Sequence, residues 1–260
     1  MYMEHYDNLL GGSIPAPYAR LGGKSRLKKI VIGHFPKDYE KMTYVEPFFG
    51  AGSVFYYKEP SAKEVINDLD KNMFLLMKGF KKFDGDQISK DINGKYTKAK
   101  FIQLRDFKPK NEYAKFIRVL LLTRLSFFGK MTSYSYLHDD SGINSNFGDK
   151  FNIRLKNTII LNRDYKDVIK KYDSSNTFFY LDPPYSMSEE GKYYDGQSIK
   201  MSELYDVVKN IKGKFLISYD DDKEAKDLFK NFKIVKVKTS YTQTQNIDRR
   251  DVTEILISNY

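Results

Sequence analysis

Asp182-Pro183-Pro184-Tyr185 is the segment of this 260-residue sequence whose chemistry is most definite. Two consecutive prolines fix φ and hold a rigid, extended turn, so the carboxylate before them and the phenol after them are presented with little freedom. The prolines lack amide hydrogens, which leaves the Asp182 and Pro183 carbonyls open as acceptors. An amino group wedged between the Asp182 carboxylate and the Pro183 carbonyl has both hydrogens accepted. Its lone pair is then drawn out of conjugation and aimed at an electrophile, while Tyr185 stacks on the attached ring. The plainer alternative is a proline-rich turn capped by Asp. Against it stands the apolar run Phe178-Phe179-Tyr180-Leu181, which puts the turn at the C-terminal end of a buried strand.

A second group is glycine-rich. In Glu46-Pro47-Phe48-Phe49-Gly50-Ala51-Gly52, the two glycines let the backbone turn tightly and let a ligand approach its amides. Val54-Phe55-Tyr56-Tyr57 behind them reads as the start of a helix, whose N-terminus would favour an anionic ligand. Alone, such a turn is weak evidence and is more often a structural loop. Asp68, at the tip of Asn67-Asp68-Leu69-Asp70, stands where a carboxylate takes both hydroxyls of a ribose; capping the next helix is its rival role.

These groups need a scaffold that brings strand ends together. Strands are predicted at 43–46, 64–68, 157–161, 177–181, 214–218, 233–238 and 252–258, with helices at 24–35, 72–83, 97–107 and 114–127 and between the later strands. The apolar runs 158–161 and 178–181 look buried on both faces, as in a parallel sheet covered by helices. The last two strands leave no room for a helix between them and should pair antiparallel. The fold class is therefore α/β, doubly wound and mostly parallel with an antiparallel last strand, interrupted by a mainly helical insertion at about 84–155. Residues 129–152 show no period and are too long for an ordinary connection.

Composition narrows the function. Lys plus Arg number 44 against 34 Asp plus Glu, a net charge of +10, which suits an anionic partner such as nucleic acid or else a solvated Lys-rich surface. The absence of Cys excludes a disulfide framework, Cys-bound zinc, an iron–sulfur cluster and a thiolate nucleophile. Met1 to Asn8 is neither basic nor apolar, and apolar runs such as Val119 to Leu122 are far short of the ~18 residues of a membrane span. A soluble, cytoplasmic protein with no membrane partner is expected.

Gly22-Gly23-Lys24, the Glu46 to Phe55 segment, the Asp68 strand tip and Asp182-Pro183-Pro184-Tyr185, in that order, resemble the Dam-type adenine-N6 DNA methyltransferases over about residues 20–260. The resemblance implies a Rossmann-like methyltransferase sheet, with residues 15–83 and 156–260 as the catalytic domain and 84–155 as the target-recognition domain. It implies S-adenosylmethionine as cofactor, held by Arg20, Lys24, Phe48, Gly50, Ala51, Gly52 and Asp68, with Asp164 and Tyr165 beside its adenine. Asp182 would touch both cofactor and target adenine, acting with Pro183 and Tyr185. Arg20 stands where many members carry an aromatic residue. Cytosine-C5 methylation needs a Cys nucleophile and is excluded. The target base must leave the duplex to reach the site, and no metal is required.

For double-stranded DNA, the resemblance points to Arg124, Phe128, Lys130, Tyr134 and Asn146 in the insertion. Arg reads guanine edges or clamps phosphate, and Phe128 or Tyr134 can wedge between bases. The Arg-Tyr-Asn cluster of GATC-specific members has no counterpart in Thr132-Ser133-Tyr134-Ser135-Tyr136, so no target sequence is assigned. Residues 189–196 read as a polar flap over the target base. Cytosine-N4 methylation fits the same tetrapeptide, although its leading Asp and the motif order favour adenine. A basic binding module without catalysis has no physical need for an intact Asp182 and Gly50-Ala51-Gly52. A companion restriction endonuclease is a further candidate partner, and no oligomeric state follows from the sequence.

Overall fold

The structure, a computed structural model, describes residues 13–20, 22–136, 142–184, 199–242 and 249–260. Its strands are β1 (Thr43–Glu46), β2 (Lys63–Asn67), β3 (Ile159–Leu161), β4 (Thr177–Leu181), β5 (Lys214–Asp220), β6 (Lys233–Thr242) and β7 (Arg249–Ser258), in the sheet order β3-β2-β1-β4-β5-β7-β6. β1 runs parallel to β2 and β4, and β4 to β5, whereas β7 is antiparallel to both β5 and β6. This is the Rossmann-like α/β arrangement expected, including its antiparallel last strand.

The helices are α1 (Lys28–Gly33), α2 (Lys71–Lys82), α3 (Gly85–Ile92), α4 (Lys98–Asp106), α5 (Glu112–Leu125), α6 (Lys150–Leu155), α7 (Tyr165–Tyr172), α8 (Met201–Val208) and α9 (Lys223–Leu228). The chain divides into two compact units. One comprises 24–49, 58–67 and 163–260; the other comprises the segment up to Gly23 with 50–57 and 68–162.

In the first unit, every residue of β4 is buried, as its unbroken apolar run requires. Parallel register pairs Leu181 of β4 with Ile217 of β5, so Asp182 and Ser218 emerge side by side where the apolar run of β4 ends. β7 arrives antiparallel and sets Glu254 opposite Asp220.

The second unit is mainly helical. Asp70, Asp84, Thr97 and Asn111 each accept a backbone N–H of the first turn they precede, which fixes where α2 to α5 begin. The aromatic core centres on Phe80, whose ring meets Phe116 and Phe147 edge-on at 5.2 Å and Phe151 at 4.9 Å. A Cβ at Gly79 would stand 2.0 Å from the Phe116 ring, so glycine is what lets α5 approach α2.

Two expectations are corrected. Residues 53–57 form consecutive turns rather than the start of a helix. The Phe55 carbonyl accepts from the Arg154 guanidinium at 2.9 Å and the Tyr56 carbonyl accepts the Ile14 amide at 3.1 Å, so outside donors take the carbonyls a helix would use. β3 is not buried on both faces: Ile159 is exposed and the next two residues are half-buried, because β3 is the edge strand. Among the described residues no helix is long and apolar enough to cross a membrane.

Candidate active site

Asp182 leaves β4 into the two prolines with its carboxylate held from one side. Oδ1 lies 2.8 Å from Lys24 Nζ and accepts the Ser218 hydroxyl at 2.9 Å. Ser218 in turn meets the Tyr180 hydroxyl at 3.0 Å. Lys24 Nζ is also 3.8 Å from Glu254, and the Lys24 and Glu254 side chains are each only 2% exposed. A buried ammonium thus sits among carboxylates. Burial raises the Asp220 carboxyl, opposed by Lys24 and reinforced by the charge of Asp182. Burial and then the Asp182 charge push the Tyr180 phenol well above its usual range, so it stays protonated. Pro183 is buried, while Tyr185 and the 189–196 flap lie outside the described residues.

In the same unit, the ring of Phe48 lies 5.1 Å from that of Tyr165. Asn67, 1% exposed, aligns them: its amide donates to the carbonyls of Pro47 and Arg163, its oxygen accepts the Arg163 amide, and its own carbonyl accepts the Phe49 amide. The loop after β1 and the start of α7 are tied together by one side chain. Asp164 caps α7 through the Lys166 amide and is exposed. Burial lifts the Tyr165 phenol to about 12, with Glu203 and Asp164 adding to it.

In the other unit, Gly50 and Gly52 have φ of +54° and +71°, conformations that favour glycine. Asp68 accepts the Gly50 amide on Oδ2 at 2.8 Å and the Asp70 amide on Oδ1 at 2.9 Å. The helix cap of α2 is Asp70, not Asp68. Burial raises the Asp68 carboxyl from its ordinary value, against the opposing charge of Arg20 and the two backbone hydrogen bonds. Arg20 pairs with Asp70 at 3.0 Å, and Tyr18 donates to the Gly50 carbonyl at 3.1 Å, so residues 18–20 fasten the glycine turn. Ala51 is buried beneath it.

Of the predicted DNA-binding residues, Phe128 is 39% exposed, has φ of +52° and meets the exposed Phe127 edge-on at 4.3 Å. Tyr134 is buried, its hydroxyl bonded to the Tyr96 carbonyl at 2.5 Å. Arg124 donates to the Pro17 carbonyl at 2.7 Å, and burial makes its guanidinium a weaker base than usual. Lys130 is half-buried and Asn146 exposed. Ser218, Tyr180, Glu254 and Asn67 were not anticipated. A faint signal for the first was the polar ending of an otherwise apolar strand, Phe215-Leu216-Ile217-Ser218.

Residues 21–243 match the model of the D12 class N6 adenine-specific DNA methyltransferases. The chain is 26% identical over 286 residues to the type II methyltransferase M.MjaIII of Methanocaldococcus jannaschii, covering 92% of this chain and 96% of that protein. It is 24% identical over 208 residues to the type II methyltransferase M.CviBI of Paramecium bursaria Chlorella virus NC1A, covering 73% and 77%. Among solved structures, it is similar to a precorrin 8w decarboxylase of Methanobacterium thermoautotrophicum, at 9% identity and a TM-score of 0.43 over 95% of this chain and 99% of that one, too remote to bear on chemistry. With the family model spanning most of its length, the chain belongs to the D12 class of N6 adenine-specific DNA methyltransferases.

Proposed function

We propose that this DNA adenine methyltransferase takes the methyl group from S-adenosylmethionine and places it on N6 of an adenine flipped out of a specific double-stranded sequence. The observation that carries the reading is the Asp182 carboxylate, at the end of a fully buried strand and before two prolines, with Oδ1 held by Lys24 and Ser218. With that oxygen engaged, the other oxygen and the Pro183 carbonyl accept the two hydrogens of the adenine amine. This withdraws the nitrogen lone pair from the ring and aims it. Tyr185 stacks on the extruded base.

The residues around the glycine turn fit the cofactor. Each Asp68 oxygen carries one backbone hydrogen bond and keeps capacity for a ribose hydroxyl. Gly50, Ala51 and Gly52 offer backbone that a ligand can approach closely, with Arg20 paired to Asp70 in the same unit. In the other unit, Phe48 and Tyr165 offer ring faces to an adenine, with Asp164 capping the helix that Tyr165 begins. Bound there, S-adenosylmethionine supplies an electrophilic methyl sulfonium.

Residues 84–155 serve as the target-recognition domain within a catalytic domain of 15–83 and 156–260. Exposed Phe128 is the wedge, propped by the turn in which Tyr134 is anchored. Arg124, Lys130 and Asn146 face the DNA, and the net charge of +10 makes binding steeply salt-dependent. On this reading the enzyme works in the cytoplasm, with a restriction endonuclease as a candidate partner. Asp182→Ala is expected to abolish transfer of labelled methyl groups while duplex binding, followed by fluorescence anisotropy, persists; transfer at an unchanged rate would sink the mechanism.

A further inference from the structure

Ser218 has no exposed surface and a single hydroxyl hydrogen, which goes to Asp182 Oδ1. In its contact with Tyr180, 3.0 Å away, the phenol must therefore be the donor. The result is a one-directional chain, Tyr180 to Ser218 to Asp182, in which each bond polarises the next. Lys24 Nζ adds a second donor to the same oxygen at 2.8 Å. Oδ1 thus has both lone pairs engaged, and among the described residues no donor is bonded to Oδ2. A carboxylate otherwise turns broadly about χ2 and offers either oxygen.

We infer that Ser218 is a positioning residue for methyl transfer: with Lys24 it occupies Oδ1 of Asp182 and commits Oδ2 to the amino group of the target base. This rests on the reading of Asp182 as acceptor of that amine. Ser218 touches neither substrate nor cofactor in this scheme; it removes a rotation that would have to be frozen in the transition state. The parallel register of β4 and β5 builds the contact into the sheet itself.

The test uses the full chain and four variants: Ser218→Ala, Ser218→Thr, Tyr180→Phe and Asp182→Ala. Single-turnover transfer is measured at saturating DNA and labelled S-adenosylmethionine, and dissociation constants for both by calorimetry. Ser218→Ala is expected to slow transfer on the order of tenfold, with both dissociation constants within about twofold of wild type. Ser218→Thr, which keeps the hydroxyl, should recover most of the rate. Tyr180→Phe, which removes the donor behind Ser218, should slow it about threefold, and carries the test if Ser218→Ala does not fold. Wild-type rates in Ser218→Ala and Tyr180→Phe, or losses that follow binding alone, would overturn the inference while Asp182→Ala remains inactive. Full activity of Asp182→Ala would instead overturn the reading of Asp182 and this inference with it.

Discussion

Lys24 Nζ lies 2.8 Å from Asp182 Oδ1, an ion pair in which the lysine side chain is 2% exposed and the aspartate side chain 18%. Withdrawing an ammonium from water this far is costly unless carboxylates surround it, and here Glu254 and the Asp182 carboxylate do so. The pair joins the segment after Gly22-Gly23 to the turn after β4.

Lys24→Met keeps the length of the side chain and removes the charge beside Asp182 and Glu254. A loss of about 3 kcal/mol in stability is expected at neutral pH. The Asp220 carboxyl, which burial already raises and the Lys24 charge opposes, is then raised further in the folded state. Stability is therefore present at low pH and lost as pH rises through its folded-state value. Denaturant melts at pH 5 and pH 8 should show the larger deficit at pH 8. An equal deficit at both would remove charge from the explanation.

Gly50→Ala tests the glycine turn. Among the described residues a Cβ there meets only the Arg20 side chain, at 4.0 Å, so the structural cost is that of holding alanine at φ +54°, about 1 kcal/mol. The added methyl narrows the approach to the backbone, and S-adenosylmethionine affinity should fall by more than tenfold. Calorimetric titration with the cofactor decides it. Unchanged affinity would move the cofactor away from this turn.

Asp68 sets a pH dependence. Its carboxyl is raised by burial, so it takes up a proton at higher pH than an ordinary carboxylate. Only the charged form accepts two ribose hydroxyls at full strength. Cofactor affinity should therefore decline as pH falls, at a higher pH than an ordinary carboxylate would give, and Asp68→Asn should bind weakly with a flat profile. Parallel profiles for both proteins would rule Asp68 out as the titrating group.

The sequence was most readable where local chemistry and regular structure coincide. β1 and β4 were read to the residue, since each is a short β-rich run ended by an abrupt turn. Asp182 was legible because two prolines mark it. Ser218 and Glu254 were not, because a lone Ser or Glu on a strand has no spacing to betray it. Their place beside Asp182 is set by the β4–β5 and β5–β7 registers, which are long-range facts. Asn67 was hidden for the same reason, its partners lying 20 and 96 residues away. The short helices α3 and α6 carry too few apolar positions for a period to show, and the turns at 53–57 mimic a helix start until Arg154 claims the Phe55 carbonyl.

The most direct measurement is to incubate the purified protein with unmethylated duplex DNA and S-adenosylmethionine labelled in its methyl group, digest the DNA and identify the labelled nucleoside. Label is expected in N6-methyladenine, confined to one sequence context and absent with Asp182→Ala. Label in N4-methylcytosine, or no incorporation by a folded protein that binds both DNA and cofactor, would contradict it.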